Sequence, residues 1–126
     1  MSAYLDQSGE PSDEPGRFVT FSHLDPLALV PGMAFRPVAT DALLVNHATI
    51  DPGAELPTHH HGEEQIAIIT QGELTLTVGG ETRTLRAGDC VVIPPNVPHG
   101  GVAGPEGAIA IDVFTPPRAG IVAAMG

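Results

Sequence analysis

Short apolar segments follow one another along most of this chain, and glycine or proline stands near most of their ends. Within several of them polar and apolar residues alternate, as is typical of strands with one buried face. Gly79-Gly80 lies between two such segments and predicts a two-residue hairpin turn. The predicted strands are residues 18–21, 33–38, 43–50, 65–70, 73–78, 81–85, 90–93 and 108–114. This pattern predicts an all-β fold, an antiparallel sandwich or barrel.

The first 17 residues differ from the rest of the chain. They contain four acidic residues, two prolines and almost no apolar side chains. Such a composition cannot bury enough apolar surface to fold by itself, so residues 1–17 are predicted to form a flexible acidic tail. Residues 18–126 are then a single domain, long enough for one hydrophobic core.

Charge and cysteine content narrow the possible partners and location. Fifteen acidic residues stand against five arginines and no lysine, which gives a net charge of −10. Nucleic acid would be repelled, so we expect no such partner. No apolar run is long enough to span a membrane and no signal peptide is evident, so a cytoplasmic protein without a membrane partner is expected. The single Cys90 lies in an apolar segment, where we expect it to be buried.

The candidate chemistry lies in two histidine-containing segments forty residues apart. His59 and His61 are two positions apart, so an extended chain directs both side chains to the same face. Gln65 shares their parity, and His99 follows a proline-rich turn after the strand 90–93. Three imidazoles and an amide oxygen suit one divalent metal ion, with zinc, nickel, iron or manganese as candidates. The sequence therefore predicts a metal site formed by His59, His61, Gln65 and His99.

These two segments resemble the two motifs of the cupin superfamily. Residues 53–72 read G-x5-H-H-H-x3-Q-x6-G, and residues 88–99 read G-x5-P-P-N-x2-H. The sequence departs from the usual motifs at Gln65, where most cupins carry Glu, and at Asn96, where most carry Gly. Asn tolerates the left-handed turn conformation that glycine adopts. The resemblance implies a single-domain jelly-roll β-barrel, usually dimeric, with the metal inside the barrel.

A closer resemblance is to the small pectin-degradation cupins that ketonise 4,5-unsaturated monouronates. It is carried by the segments 64–66, 93–100 and 112–118. In that family a His-His-Gln-His set binds the metal, and an Asp, a Phe and an Arg line the pocket. Asp112 and Arg118 are the implied catalytic residues, and Phe114 the implied pocket residue. Cupin cyclases of aromatic polyketide pathways share the same outline, so the resemblance leaves the substrate class open.

The neutral amide of Gln65 bears on the type of chemistry. A carboxylate at this position would favour iron and oxygen chemistry, whereas an amide leaves the positive charge of the ion undiminished and favours a Lewis acid. Gln cannot accept a proton, so Asp112 is the candidate general base and Arg118 a candidate clamp for an anionic group. The predicted reaction is keto–enol proton transfer by an isomerase, lyase or cyclase.

Two other functions fit the same motifs. A quercetinase-like dioxygenase would consume oxygen, and a non-catalytic small-molecule-binding cupin would bind a ligand without turnover.

His47 lies on a strand whose two faces both carry apolar residues, so it is a candidate pocket residue or further ligand. Glu63 and Glu64 are expected in a solvated turn.

Overall fold

The strands account for most of the architecture. A computed structural model describes residues 3–126, and the first two residues of the predicted tail lie outside this range. The elements are β1 (Met33–Ala39), β2 (Leu44–Ile50), β3 (Glu55–His59), β4 (Glu64–Val78), β5 (Glu81–Arg86), β6 (Cys90–Ile93), β7 (His99–Thr115) and α1 (Ala119–Ala124), with short 3-10 helices at Ala3–Leu5 and Phe21–His23. The predicted all-β fold is confirmed. Among these residues no helix is long and apolar enough to cross a membrane.

Three local predictions are wrong. The segments 65–70 and 73–78 form one continuous strand, β4. The predicted strand 18–21 pairs with no strand among the described residues: residues 18–20 form no regular element, Phe21 begins a 3-10 helix, and Phe18 is fully exposed. Cys90 is exposed, since it lies directly opposite Ile68 on the outer face of the sheet.

All strand pairs are antiparallel, and the order is β1-β2-β7-β4-β5, with β3 also paired to β7 and β6 to β4. The long strands β4 and β7 form a ribbon in which Gln65 pairs with Phe114 and Val78 pairs with His99. In a straight strand Gln65 and Val78 would lie about 43 Å apart. The register shifts on both sides of Gly72, and such irregularities bend a strand. The ribbon curls, so its two ends approach each other.

The core lies inside this curl. Burial alternates along β2, where Leu44, Asn46, Ala48 and Ile50 face inward and the residues between them are half-buried. The buried apolar residues form two clusters. One contains Ala48, Ile50, Ile69, Leu74, Leu76, Leu85, Ala103, Ala108 and Ala110. The other contains Phe35, Leu44, Phe114 and Ile121.

Candidate metal centre and cavity

Three histidines converge at the inner surface of the curled sheet. His59 ends β3 and lies opposite His99, the first residue of β7. His61 follows in the connection to β4. One ring nitrogen from each of the three residues lies within 4.8 Å of the others, and a metal ion can be bound by nitrogen atoms grouped in this way.

The hydrogen bonds of the three rings leave the same nitrogen, Nε2, without a hydrogen in each. Every Nδ1 lies 2.8–3.0 Å from a backbone carbonyl oxygen two residues away, that of Pro57, Glu63 or Val97. A carbonyl oxygen only accepts, so each Nδ1 carries the hydrogen and each Nε2 keeps its lone pair. The Nε2 atom of His99 is buried without a hydrogen-bond partner. This arrangement fits a metal ion, because ligating imidazoles are oriented in this way by their other nitrogen.

Gln65 is the fourth polar side chain of this cluster. Its Nε2 donates a hydrogen bond to Asp112 Oδ1 at 3.0 Å, which directs its Oε1 towards His61. Oε1 lies 3.2 Å from His61 Nε2. Two lone pairs at this distance repel each other unless a cation lies beside both. Protonation of His61 would also relieve the repulsion, but burial, and next the charge of Arg118, lower the pKa of His61. Burial likewise lowers the pKa of His99.

Asp112 lies directly behind Gln65. Its Oδ2 accepts a hydrogen bond from Asn46 Nδ2 at 3.4 Å, and part of its surface faces the cavity. Burial raises the pKa of Asp112 to about 6, although the hydrogen bonds from Gln65 and Asn46 oppose this shift. Asn46 itself is fully buried. An acidic group thus lies next to the histidine cluster in a chain of hydrogen bonds from Asn46 to Gln65.

The cluster opens onto a cavity of about 410 Å³. Its polar lining consists of His59, His61, Gln65, His99, Asp112 and Arg118, and most of the remaining wall is aliphatic, with Phe35 and Phe114. The ring of Phe114 packs edge-on against His61, with 5.7 Å between the ring centroids. The structure therefore brings together all four predicted ligands and three of the predicted pocket and catalytic residues.

A family model described as "Cupin domain" matches residues 46–114, which include every polar residue of the site except Arg118. The chain belongs to the cupin family. The match also covers the two motifs and the strand that carries Asp112 and Phe114.

Two curated proteins and one solved structure are similar to this cupin. It is 38% identical over 63 residues to the pectin degradation protein KdgF of Dickeya dadantii, a segment that covers 50% of the chain and 57% of that relative. It is 44% identical over 52 residues to the H2HPP isomerase of Bacillus subtilis, covering 40% of the chain but 22% of that protein. The structure of KdgF from a Halomonas species superposes with a TM-score of 0.79 at 30% identity, covering 85% of this chain and 99% of that one. The chain thus spans about half the length or less of these two curated relatives.

The structure does not bring His47 to the site of this cupin. His47 alternates with the inward-facing residues of β2 and therefore projects from the other face of the sheet. Its ring lies 5.3 Å from that of Phe21, and it is absent from the cavity wall. The inward neighbour Asn46 contacts Asp112 instead. The sequence alone gave no signal for Asn46, because apolar residues occupy both faces of this strand.

Glu63 is also placed differently from the expected solvated turn. Its side chain is 12% exposed and lies beside Arg118. Burial by itself raises the pKa of Glu63, but backbone hydrogen bonds, above all that from Ala119, together with the charges of Arg118 and His61, outweigh burial and lower it. Glu63 is therefore an ionised group next to the cavity.

Proposed function

We propose that this cupin is a metal-dependent enzyme that catalyses redox-neutral proton transfer next to a carbonyl group of a small, anionic, oxygen-rich substrate. The observation that carries the proposal is the uncharged donor set of three imidazoles and one amide, with a carboxylate placed directly behind the amide. His59, His61, Gln65 and His99 would hold one divalent ion. When bound, the ion would supply positive charge that polarises adjacent substrate oxygens and stabilises negative charge developing on them.

The groups of the chain have separate tasks in this proposal. Asp112 lies within the cavity wall and moves the proton, because Gln65 cannot accept one. In ketonisation the enol oxygen loses a proton, and the carbon next to the new carbonyl carbon gains one, so no oxidant or reductant is needed. Arg118 binds the anionic end of the substrate. Phe114 packs against His61 and excludes water from that side of the site.

Two substrate classes meet these requirements. The resemblance to the pectin-degradation cupins, together with the similarity to a pectin degradation protein, favours an unsaturated uronate, which would undergo keto–enol isomerisation. The largely apolar wall of the cavity favours a substrate with a hydrocarbon or planar portion, such as a poly-β-ketone, which would undergo aldol-type ring closure. Both reactions form an enolate and relocate a proton.

Metal analysis followed by a substrate panel tests this function. Purified protein is expected to contain about one divalent ion per chain, and turnover of an unsaturated uronate or a poly-β-ketone is expected to be equal with and without oxygen. Asp112→Asn should retain the metal and lose turnover about a hundredfold or more, the usual contribution of a general acid–base group. Strict oxygen dependence would instead support a dioxygenase, and binding without turnover a non-catalytic cupin.

A homodimer is the second part of the proposal. On the outer face of the sheet Ile66 pairs with Val92, and Ile68 with Cys90, and all four side chains are exposed. A second copy packed on this uncharged patch would cover these apolar side chains. Sedimentation equilibrium should give twice the chain mass, and Ile66→Lys should give a monomer; a wild-type monomer at all micromolar concentrations would refute the dimer.

A further inference from the structure

Glu63 connects the histidine cluster to the C-terminal helix. Its Oε2 accepts a hydrogen bond from the backbone N–H of Ala119 at 3.0 Å. Its Oε1 lies 3.8 Å from Arg118 Nη1 and 3.6 Å from His61 Nδ1. The ring of His61 in turn donates from Nδ1 to the backbone carbonyl of Glu63 at 3.0 Å. One largely buried carboxylate thus contacts a proposed ligand, the proposed anion clamp and the first residue of α1.

Helix α1 forms part of the cavity wall. Arg118, Gly120 and Ile121 line the cavity, and Ile121 is buried in the cluster that contains Phe114. A helix of six residues is not stable by itself, so contacts with the rest of the protein must hold it. The apolar contact is made by Ile121, and the polar contact at the first turn is made by Glu63.

The same contact determines where the charge of Arg118 lies. Among the described residues the Arg118 guanidinium makes this one ion pair. Guanidinium carries five N–H donors, so most of them stay available to an anion in the cavity. The negative charge of Glu63 keeps the flexible arginine side chain beside the cavity before a substrate arrives.

We propose that Glu63 is a positioning residue that holds α1 and Arg118 at the cavity and thereby sets the affinity for an anionic substrate. The part about the substrate rests on the proposed function. The part about the helix does not, because it concerns the protein without metal or substrate.

Hydrogen exchange of the metal-free protein tests the attachment of the helix. Glu63→Ala should accelerate exchange of the backbone amides of residues 119–125 about tenfold or more, since it removes a hydrogen bond to a charged group. Glu63→Gln keeps an acceptor for the Ala119 N–H and should have a smaller effect, and it serves as the test if Glu63→Ala does not fold. Glu64→Ala, at the exposed neighbouring position, is the matched control. Equal exchange in the Glu63 variants and this control would overturn the proposal.

Kinetics test the role of Arg118 separately. With a substrate that the panel identifies, Glu63→Gln should raise KM about tenfold with little change in kcat, and Arg118→Ala combined with Glu63→Gln should raise KM no further than Arg118→Ala alone. Independent, multiplicative effects of the two substitutions would overturn the link between them. If no substrate is turned over, the proposed function fails, while the exchange experiment still decides the role of Glu63.

Discussion

Replacing Asp112 by asparagine measures how far a buried carboxylate destabilises the metal-free protein. Burial raises the pKa of Asp112 from 3.8 to about 6, so the folded protein holds this proton more tightly than the unfolded chain does. The stabilisation by this group is therefore complete below about pH 4 and is lost as the pH rises through about 6. At 1.36 kcal/mol per pKa unit, the loss at pH 7.5 amounts to about 3 kcal/mol.

The asparagine side chain would avoid this loss. It carries no charge, its oxygen can still accept from Gln65, and its amide can donate to Asn46 Oδ1, which is buried without a partner. We expect Asp112→Asn to raise the free energy of unfolding by about 1–3 kcal/mol at pH 7.5 and to leave it nearly unchanged at pH 4.

The assay is urea unfolding followed by circular dichroism, with a chelator present, between pH 4 and pH 8. The lowered pKa values of His61 and His99 produce the opposite trend, because stability from these groups is lost as the pH falls below about 6.5. Both proteins contain these histidines, so the difference between their curves reports Asp112. Asp41→Asn, at an exposed position, is the control. Curves for wild type and Asp112→Asn that run parallel across this range would refute the reasoning.

Three further predictions concern the site and the bend in β4. His99→Ala should lower the metal content after purification to a small fraction of the wild-type value, measured by elemental analysis; full occupancy would remove His99 from the ligand set. Asn46→Leu should weaken metal binding about 10–100-fold in a chelator competition, the usual effect of losing a hydrogen bond that supports a metal ligand. Unchanged affinity would show that Asp112 orients Gln65 without Asn46. Gly72→Ala should destabilise the protein by about 3 kcal/mol or more in urea unfolding, because φ is +74° and a Cβ would lie 2.0 Å from the carbonyl oxygen of Gly107; a smaller effect would mean that the strand can shift at this bend.

The sequence pattern predicted features that depend on short stretches of chain. Alternation identified residues 73–78 of β4, the Gly79-Gly80 turn identified β5, and motif spacing identified His59 and His99 as neighbours despite their separation. The pattern could not assign the face of His47, because apolar residues occupy both faces of β2. The contact between Glu63 and Ala119 joins residues 56 positions apart, which no local periodicity reports. The same holds for α1, whose one buried side chain, Ile121, gives no amphipathic repeat.

Because the ribbon of β4 and β7 is curled, metal binding should require the step of folding in which the two ends of the ribbon come together. Gln65 lies at one end of the ribbon and His99 at the other, so a chain that has formed the hairpins but has not closed the curl cannot present both to one ion. Folds dominated by such distant pairings typically fold in about milliseconds to seconds. In a refolding experiment, uptake of a spectroscopically visible ion such as cobalt should therefore appear with the last phase, after most of the strand signal has returned.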